Sequence, residues 1–509
     1  MKPEYGPAAF SMTIASSIFL RFGVFGLTLL GLSACASVNQ PPDFAAPVPT
    51  TWTNGATGRE PYRVPELASW WKGYRDPVLS RLIDRALAGN PTLEQALTKI
   101  EAARALARSE GSRLLPQVDG TGSLRYERRL SGRTEGLSVG GEDIGVGSRR
   151  AIGLFQSGFD SSWEVDLFGR VRNAIASANI AAQVATEEGE TARVTLVAEV
   201  VRTYVELRAA ERRSAIIVSD ITARQRLVQL TIQQKAVGLA GDFDVQRATV
   251  TSESAKSRLP TAKLGVSVAR QRLATLAGQP TPDRGLSRSV GHVPILRPPR
   301  PSLPADLVRT RPEIRQAERQ VAQRAADVGV ATAELYPRLT LSGSLTLSAN
   351  ALAKPLPGQL ISIAGGPALT IPLLDWGQRR AIVNAREAQL KDAIAGYKIA
   401  VLQGVEEVEV SLASIRSQNS RIARLQSAVA AANRALTTAD TLYRQGLTGL
   451  TERLAAETEL RQAELDLAEA QEAAGIAVVR LYKALGAPSV EVRVSQPAPL
   501  LPHLTTSKL

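Results

Sequence analysis

From Leu339 to Ser348 the chain alternates: leucines stand at 339, 341, 345 and 347, small polar residues at 340, 342, 344, 346 and 348. A period of two makes a strand with one apolar and one polar face. The segment ISIAGGPALTIPLL (361–374) does the same, with Ile361, Ile363, Leu369, Ile371 and Leu373 alternating with Ser362, Ala364, Gly366, Ala368 and Thr370. Earlier in the chain, FQSGFDSSW sets Phe155, Phe159 and Trp163 in the same phase, and GSRLLPQVDGTGSLRYERR supplies a fourth strand around residues 115–126. The chain around these strands is rich in Ala, Glu, Arg, Gln and Leu. No proline lies between Pro116 and Pro260, nor between Pro372 and Pro488. Such composition favours long helices. A helix from Asp166 to about Val237 would extend roughly 110 Å. An antiparallel coiled coil also fits, since LVQLTIQQKAV has heptad-like apolar spacing.

The strands and helices occur twice. LLPQVDGTGSL and LYPRLTLSGSL align Pro116 with Pro337, an offset of 221 that GNPTLEQA and TRPEIRQA keep through Pro91 and Pro312. Downstream the offset is 208: Gly169 with Gly377, Gly238 with Gly446, Gly241 with Gly449, and Gly278 with Gly486. The difference falls between the two strands, where copy one carries the longer polar loop RRLSGRTEGLSVGGEDIGVG. Each copy therefore reads helix, strand, loop, strand, very long helix, tight turn, helix. The Pro-rich RPPRPSLP (297–304) joins them.

Four two-faced strands isolated by long helices cannot bury an apolar face in water without a second layer of strands. In a bilayer that face meets lipid and the polar face lines a lumen, with about 9–11 residues enough to cross. Open edges are excluded from lipid. Four strands do not close a water-filled barrel, so several chains must share one, and three would give twelve strands.

Composition narrows the function further. Hydrophobic residues make up 44% of the 509, aromatic residues only 5%, which suits an elongated Ala-rich chain. The net charge of +13 comes from Lys and Arg mixed with Glu and Asp along helices, not from a basic block, so nucleic-acid binding is not indicated. The two histidines, His292 and His503, stand alone in Pro-rich segments, so no His-based metal site is expected. Neither a phosphate-binding loop nor a nucleophile elbow is present. Gly145 and Gly147 read as a turn. No catalytic residue and no cofactor is expected.

At the start of the chain, Arg21 precedes an apolar run from Phe22 to Leu32, too short to span a bilayer and fit for a signal peptide. The segment before Arg21 is long for such a signal, which makes Met12 a candidate start. The run ends in Leu32-Ser33-Ala34-Cys35, with Cys35 the sole cysteine. This resembles the lipobox of bacterial lipoproteins and implies a diacylglycerol and an N-acyl chain on Cys35. Ala36 stands where an Asp would retain such a protein at the inner membrane, so outer-membrane sorting is implied. An ordinary secretory signal with an incidental cysteine is the other reading.

The lipobox, WWKGYRDPVLSRLIDRALAGNPTLEQA (70–96), the paired P-x-x-x-x-x-G-S-L strand starts, the G-L-x-G turns and RPEIRQAE together resemble the TolC-type outer-membrane efflux proteins. The likeness is to their lipidated branch, which serves resistance-nodulation-division (RND) pumps, the NodT-like outer-membrane factor lipoproteins. It covers about residues 70–486. It implies a homotrimer in which a twelve-stranded β-barrel, four strands per chain, continues into a long α-helical barrel closed at its periplasmic tip, with two structural repeats per chain. It also implies export of drugs or other small solutes with a periplasmic adaptor (a membrane-fusion protein) and an inner-membrane RND pump. The expected divisions are a signal peptide at 1–34, a linker at 35–69, repeats at 70–279 and 307–487, a Pro-rich linker at 280–306 and a tail at 488–509. A lipid-anchored periplasmic structural or adaptor protein without a pore is the alternative, against which the four strands argue.

By the same resemblance, the adaptor meets the hairpin tips at Val237, Gly238, Leu239, Gly446, Leu447 and Thr448. Tight-turn chemistry accounts for the glycines as well. The implied gate comprises Asp242, Asp244, Arg247 and Glu452. Glu452 matches one of the family's constricting acids, while Ala455 stands where the second would be. Asp242 and Asp244 also read as ordinary helix-start acids.

Overall fold

The computed structural model describes residues 46, 48–54, 69–128, 138–139, 142–143, 151–287, 293–299, 304–306, 310–350 and 360–486. Cys35, the run before it, both histidines and the tail lie outside them. The elements in chain order are α1 (Pro77–Gly89), α2 (Pro91–Gly111), β1 (Gln117–Arg128), β2 (Ser138–Val139), β3 (Glu142–Asp143), β4 (Ala151–Val165), α3 (Arg170–Ala236) and α4 (Asp242–Leu276). Then come α5 (Pro312–Ala333), β5 (Arg338–Asn350), β6 (Leu360–Thr370), α6 (Gln378–Arg444) and α7 (Leu450–Ala484). The duplication is exact in length: α3 and α6 have 67 residues each, α4 and α7 have 35 each.

Two compact units cut across the repeats. The first contains the strands, from Ala102–Ala182 and Arg319–Ile394. Its main sheet is antiparallel in the order β1-β4-β5-β6. The register sets Phe159 opposite both Gly120 and Leu345, and Leu345 opposite Ile363. Within the strands the alternating apolar residues of the sequence pattern thus land on one face, and Thr121, Asp160, Ser344 and Ala364 share the other; Ile371 and Leu373 fall beyond the end of β6. The sheet is closely wound: a Cβ on Gly158 would lie 2.2 Å from the Leu345 carbonyl oxygen, and one on Gly365 2.8 Å from that of Ser342.

The long helices start by local devices. Asp166 accepts from the backbone N–H groups of Val171 (3.1 Å) and Arg172 (2.9 Å), so α3 starts at Arg170 and the acid stands outside it. Asp375 does the same for Gly377 (3.0 Å) and Arg379 (3.2 Å) at the head of α6. Those N–H groups, Arg379's first, hold the Asp375 carboxyl below its ordinary value. Gly169 and Gly377 both take φ of +83°. Copy two has one residue fewer between acid and glycine, and there Trp376 also takes a left-handed φ of +53°.

The described parts of Phe44–Glu101, Gln183–Glu318 and Ala395–Leu509 form the second unit. Val200, Val201, Tyr204, Val205 and Leu207 give α3 a fully buried stripe. The Tyr204 hydroxyl donates to Asp76, whose other oxygen caps α1 at Val78 (2.8 Å). Burial first, then Asp76, raises the Tyr204 phenol pKa. Arg208, buried beside it, pairs with Glu211 at 2.7 Å. Both copies close their last helices against glycine: a Cβ on Gly278 would sit 1.9 Å from the Gly89 carbonyl oxygen, one on Gly486 2.4 Å from that of Thr310.

Candidate functional site

The hairpins α3/α4 and α6/α7 turn by one mechanism. Lys235 and Tyr443 each accept at their carbonyl from a left-handed glycine, Gly238 (φ +77°, 3.0 Å) and Gly446 (φ +72°, 3.1 Å). The next N–H, of Leu239 or Leu447, reaches back five residues to Gln234 (2.8 Å) or Leu442 (2.9 Å). That is the Schellman closure of a helix end. It leaves Val237, Leu239 and Leu447 exposed at the tips, where the sequence places the adaptor contact with Gly238, Gly446 and Thr448. Phe243, exposed at the head of α4, joins this apolar surface and was not picked out from the sequence.

Of the four gate candidates, Asp242 is ion-paired with Lys235 across the turn. Asp244 accepts from the Gly241 backbone N–H at 3.0 Å and so performs the capping role open to it in the sequence. Glu452 stands at the same helical position of α7, exposed. Arg247 donates not to a carboxylate but to the Thr451 hydroxyl, at 2.8 Å, linking the two copies.

A second layer of ties lies deeper in the hairpins. Tyr443 donates its hydroxyl to Gln234 at 2.6 Å, joining α6 to α3. Leu227, Ala248, Tyr443, Leu450 and Leu454 pack together beneath it. Arg453 donates to Asp440 (2.8 Å) and to the buried Glu457 (3.1 Å), and Arg444 reaches Asp440 from the other side at 2.8 Å. The signal for this lock is present in the sequence: Asp440 lies six residues before the G-L-x-G turn and Arg453 four after it, on the two arms that a hairpin brings together.

Among the described residues no group of three or more His, Cys, Asp or Glu is placed to hold a metal ion, and no helix is long and apolar enough to cross a membrane. The sequence model of the family described as "Outer membrane efflux protein" matches residues 82–279 and 303–487. The outer membrane protein OprJ of Pseudomonas aeruginosa is 30% identical over 91% of this chain and 95% of its own. Nodulation protein T of Rhizobium leguminosarum bv. viciae is 30% identical over 92% and 93%. The solved outer-membrane channel OprN superposes with a TM-score of 0.76 at 31% identity, over 88% of this chain and 98% of that one.

Proposed function

The chain belongs to the outer membrane efflux protein family and is an outer-membrane channel of an efflux system; from that premise we propose how it is assembled, anchored and closed. Three copies share one twelve-stranded barrel, with the Phe159, Leu345 and Ile363 face toward lipid and the Thr121, Ser344 and Ala364 face toward the lumen. The observation that carries this is the sheet: two-faced throughout, yet ending at the unpaired edges β1 and β6. An edge left open in hydrocarbon strands several backbone N–H and C=O groups. A pore-less anchored protein gives such a sheet no use, and the family match removes the reason to retain that alternative.

The helical hairpins extend into the periplasm, and their apolar tips around Gly238 and Gly446 receive an adaptor that couples the channel to an inner-membrane RND pump. Asp244 and Glu452, three copies of each, bring six carboxylates to the mouth, and a ring of acidic side chains favours cations. The Asp440–Arg453 lock holds the α6/α7 arms together behind that ring. Cys35, after cleavage behind Ala34, carries diacylglycerol and an N-acyl chain. The exported cargo is a drug or other small solute selected by the pump.

Native mass of the protein extracted from outer membranes in mild detergent tests the assembly. Three chains are expected; a single chain would refute the shared barrel. Intact-mass measurement should show acylated Cys35 as the first residue, and a chain that keeps residues 22–32 would refute lipidation.

A further inference from the structure

Two cavities open at the foot of the sheet, both lined wholly by the first unit. The larger, about 320 Å³, takes side chains from four helices: Glu110 of α2, Ser177 of α3, Asp327 and Glu334 at α5, and Arg386 of α6. Strand order sets those helices in a row. α2 leads into β1, α3 leaves β4, α5 leads into β5 and α6 leaves β6, so the sheet order β1-β4-β5-β6 gives α2, α3, α5, α6. The outer two reach one cavity only on the side toward which the row curves. The smaller cavity, about 150 Å³, shares Glu334 and includes Glu164, Arg338 and Thr370, which stand on the small polar face of the sheet. Both cavities therefore lie on the lumen side.

The charges in the larger cavity are of two kinds. Glu110 is paired with Arg113 at 2.9 Å, and Asp327 accepts from the Ser177 hydroxyl (2.6 Å) and from Arg324 (3.2 Å). Glu334 and Arg386 have no such partners. Among the described residues the Glu334 carboxylate takes no hydrogen bond or ion pair, and Arg170, which feels its charge, is held by Glu164. Arg386 donates to the Gln389 side chain at 3.0 Å and, among the described residues, meets no carboxylate. Two opposite charges thus face one space without closing on each other. Ala174, Ala178, Val330, Ala331 and Ile382 give the remaining wall an aliphatic lining. The duplication shows that the fold demands neither charge. In copy one Arg113 stands at the place of Glu334, where it completes the pair with Glu110, and Ala178 stands at the place of Arg386.

We propose that this cavity is a transit site for amphoteric solutes, small molecules carrying an ammonium and a carboxylate on an apolar body. The ammonium pairs with Glu334, the carboxylate accepts from the Arg386 guanidinium, and the apolar body covers the aliphatic wall. A volume of about 320 Å³ suits a ligand of dipeptide or drug size. A purely cationic ligand leaves Arg386 unpaired, and a purely anionic one leaves Glu334 unpaired. The placement in a lumen rests on the shared-barrel reading; the site itself is built by one chain.

The test is ligand binding to the detergent-extracted protein, followed by saturation-transfer NMR, with three forms of one dipeptide. Leucyl-phenylalanine carries both charges, its C-terminal amide only the ammonium, and its N-acetyl form only the carboxylate. The wild type should bind the doubly charged form about tenfold more tightly than either of the others, the effect of one charge-assisted hydrogen bond. Glu334→Gln should bind leucyl-phenylalanine and its N-acetyl form alike. Arg386→Gln should bind leucyl-phenylalanine and its amide alike. Should Glu334→Gln fail to assemble, Arg386→Gln, a change at an exposed residue, tests the site alone. Wild-type affinities within twofold across the three forms, or no binding of any, overturn the site, as does a preference over the amide that survives Arg386→Gln. An intact trimer giving such a result leaves the shared barrel standing. A particle of one chain that keeps the tenfold preference overturns the barrel and retains the site.

Discussion

The hairpins α3/α4 and α6/α7 agree in arm length to the residue and in their glycine turns, yet they are tied by different chemistry. Copy two uses the lock of Asp440, Arg453, Arg444 and Glu457. At the corresponding places copy one carries Ile232, Val245, Ala236 and Thr249, and its cross-turn ion pair, Lys235 with Asp242, lies exposed at the very tip. Helix length and left-handed glycines set the shape of each arm, whereas side chains between the arms set how firmly they are held. The first must be duplicated if both copies are to occupy equivalent places around one tunnel. The second is free to diverge, and the two hairpins carry different ion pairs.

Where the copies differ, matched substitutions should have unequal effects. Arg453→Ala leaves the Glu457 carboxylate, 1% exposed, without its cation. Stranding a buried charge in this way costs about 3–5 kcal/mol, and amide exchange across residues 440–457 should accelerate accordingly. Val245→Ala, its counterpart, trims a half-buried methyl pair and should cost about 1 kcal/mol. Similar acceleration in both hairpins would show that the lock contributes nothing beyond packing.

Where the copies agree, effects should match. Leu124 and Leu345 occupy equivalent places on the apolar face, and arginine at mid-bilayer costs about 2–4 kcal/mol there. Leu124→Arg and Leu345→Arg should reduce trimer yield alike, while Thr346→Arg, on the opposite face, should leave it near normal. Equal yields from Leu345→Arg and Thr346→Arg would reverse the assignment of faces.

Gly238 and Gly446 form a gentler pair. A Cβ at either meets no atom within 4 Å, so Gly→Ala loses only backbone freedom at positive φ, about 1–2 kcal/mol. The two variants should lower the thermal midpoint by the same few degrees. Gly278→Ala, which drives a Cβ into the Gly89 carbonyl, should lower it more.

The smallest effect is pH-dependent. The backbone N–H of Gly285, then Arg85, depress the Asp283 carboxyl below its ordinary value. Its contribution is complete above the unfolded carboxylate value and is lost as pH falls through the lower folded one. Asp283→Asn should flatten the acid limb of a stability-versus-pH curve and leave the neutral region nearly parallel to wild type. An unchanged acid limb would show that this carboxyl adds nothing to acid stability.

The strands, the duplication and the two turns were legible because period-two alternation, fixed glycine offsets and proline-free runs are local signals. The exact helix starts were less so: Asp166 reads as the first helical residue until its carboxylate is seen accepting from Val171 and Arg172. The bonds of Arg247 to Thr451 and of Tyr443 to Gln234 join residues more than 200 positions apart, and no spacing rule announces them. Asp244 shows the converse limit. One acid at the third helical position satisfies capping and gate readings equally in sequence, and geometry assigns it the capping bond.

The central claim, a channel closed at its hairpin tips with the α6/α7 lock among its ties, is tested most directly by conductance across planar lipid bilayers. Purified wild-type trimer should insert to give discrete, cation-favouring steps of low amplitude, and Asp440→Ala trimer should give larger steps because Arg453 and Arg444 lose their shared partner. Intact trimers that insert and pass no discrete current, wild type and variant alike, would contradict the account.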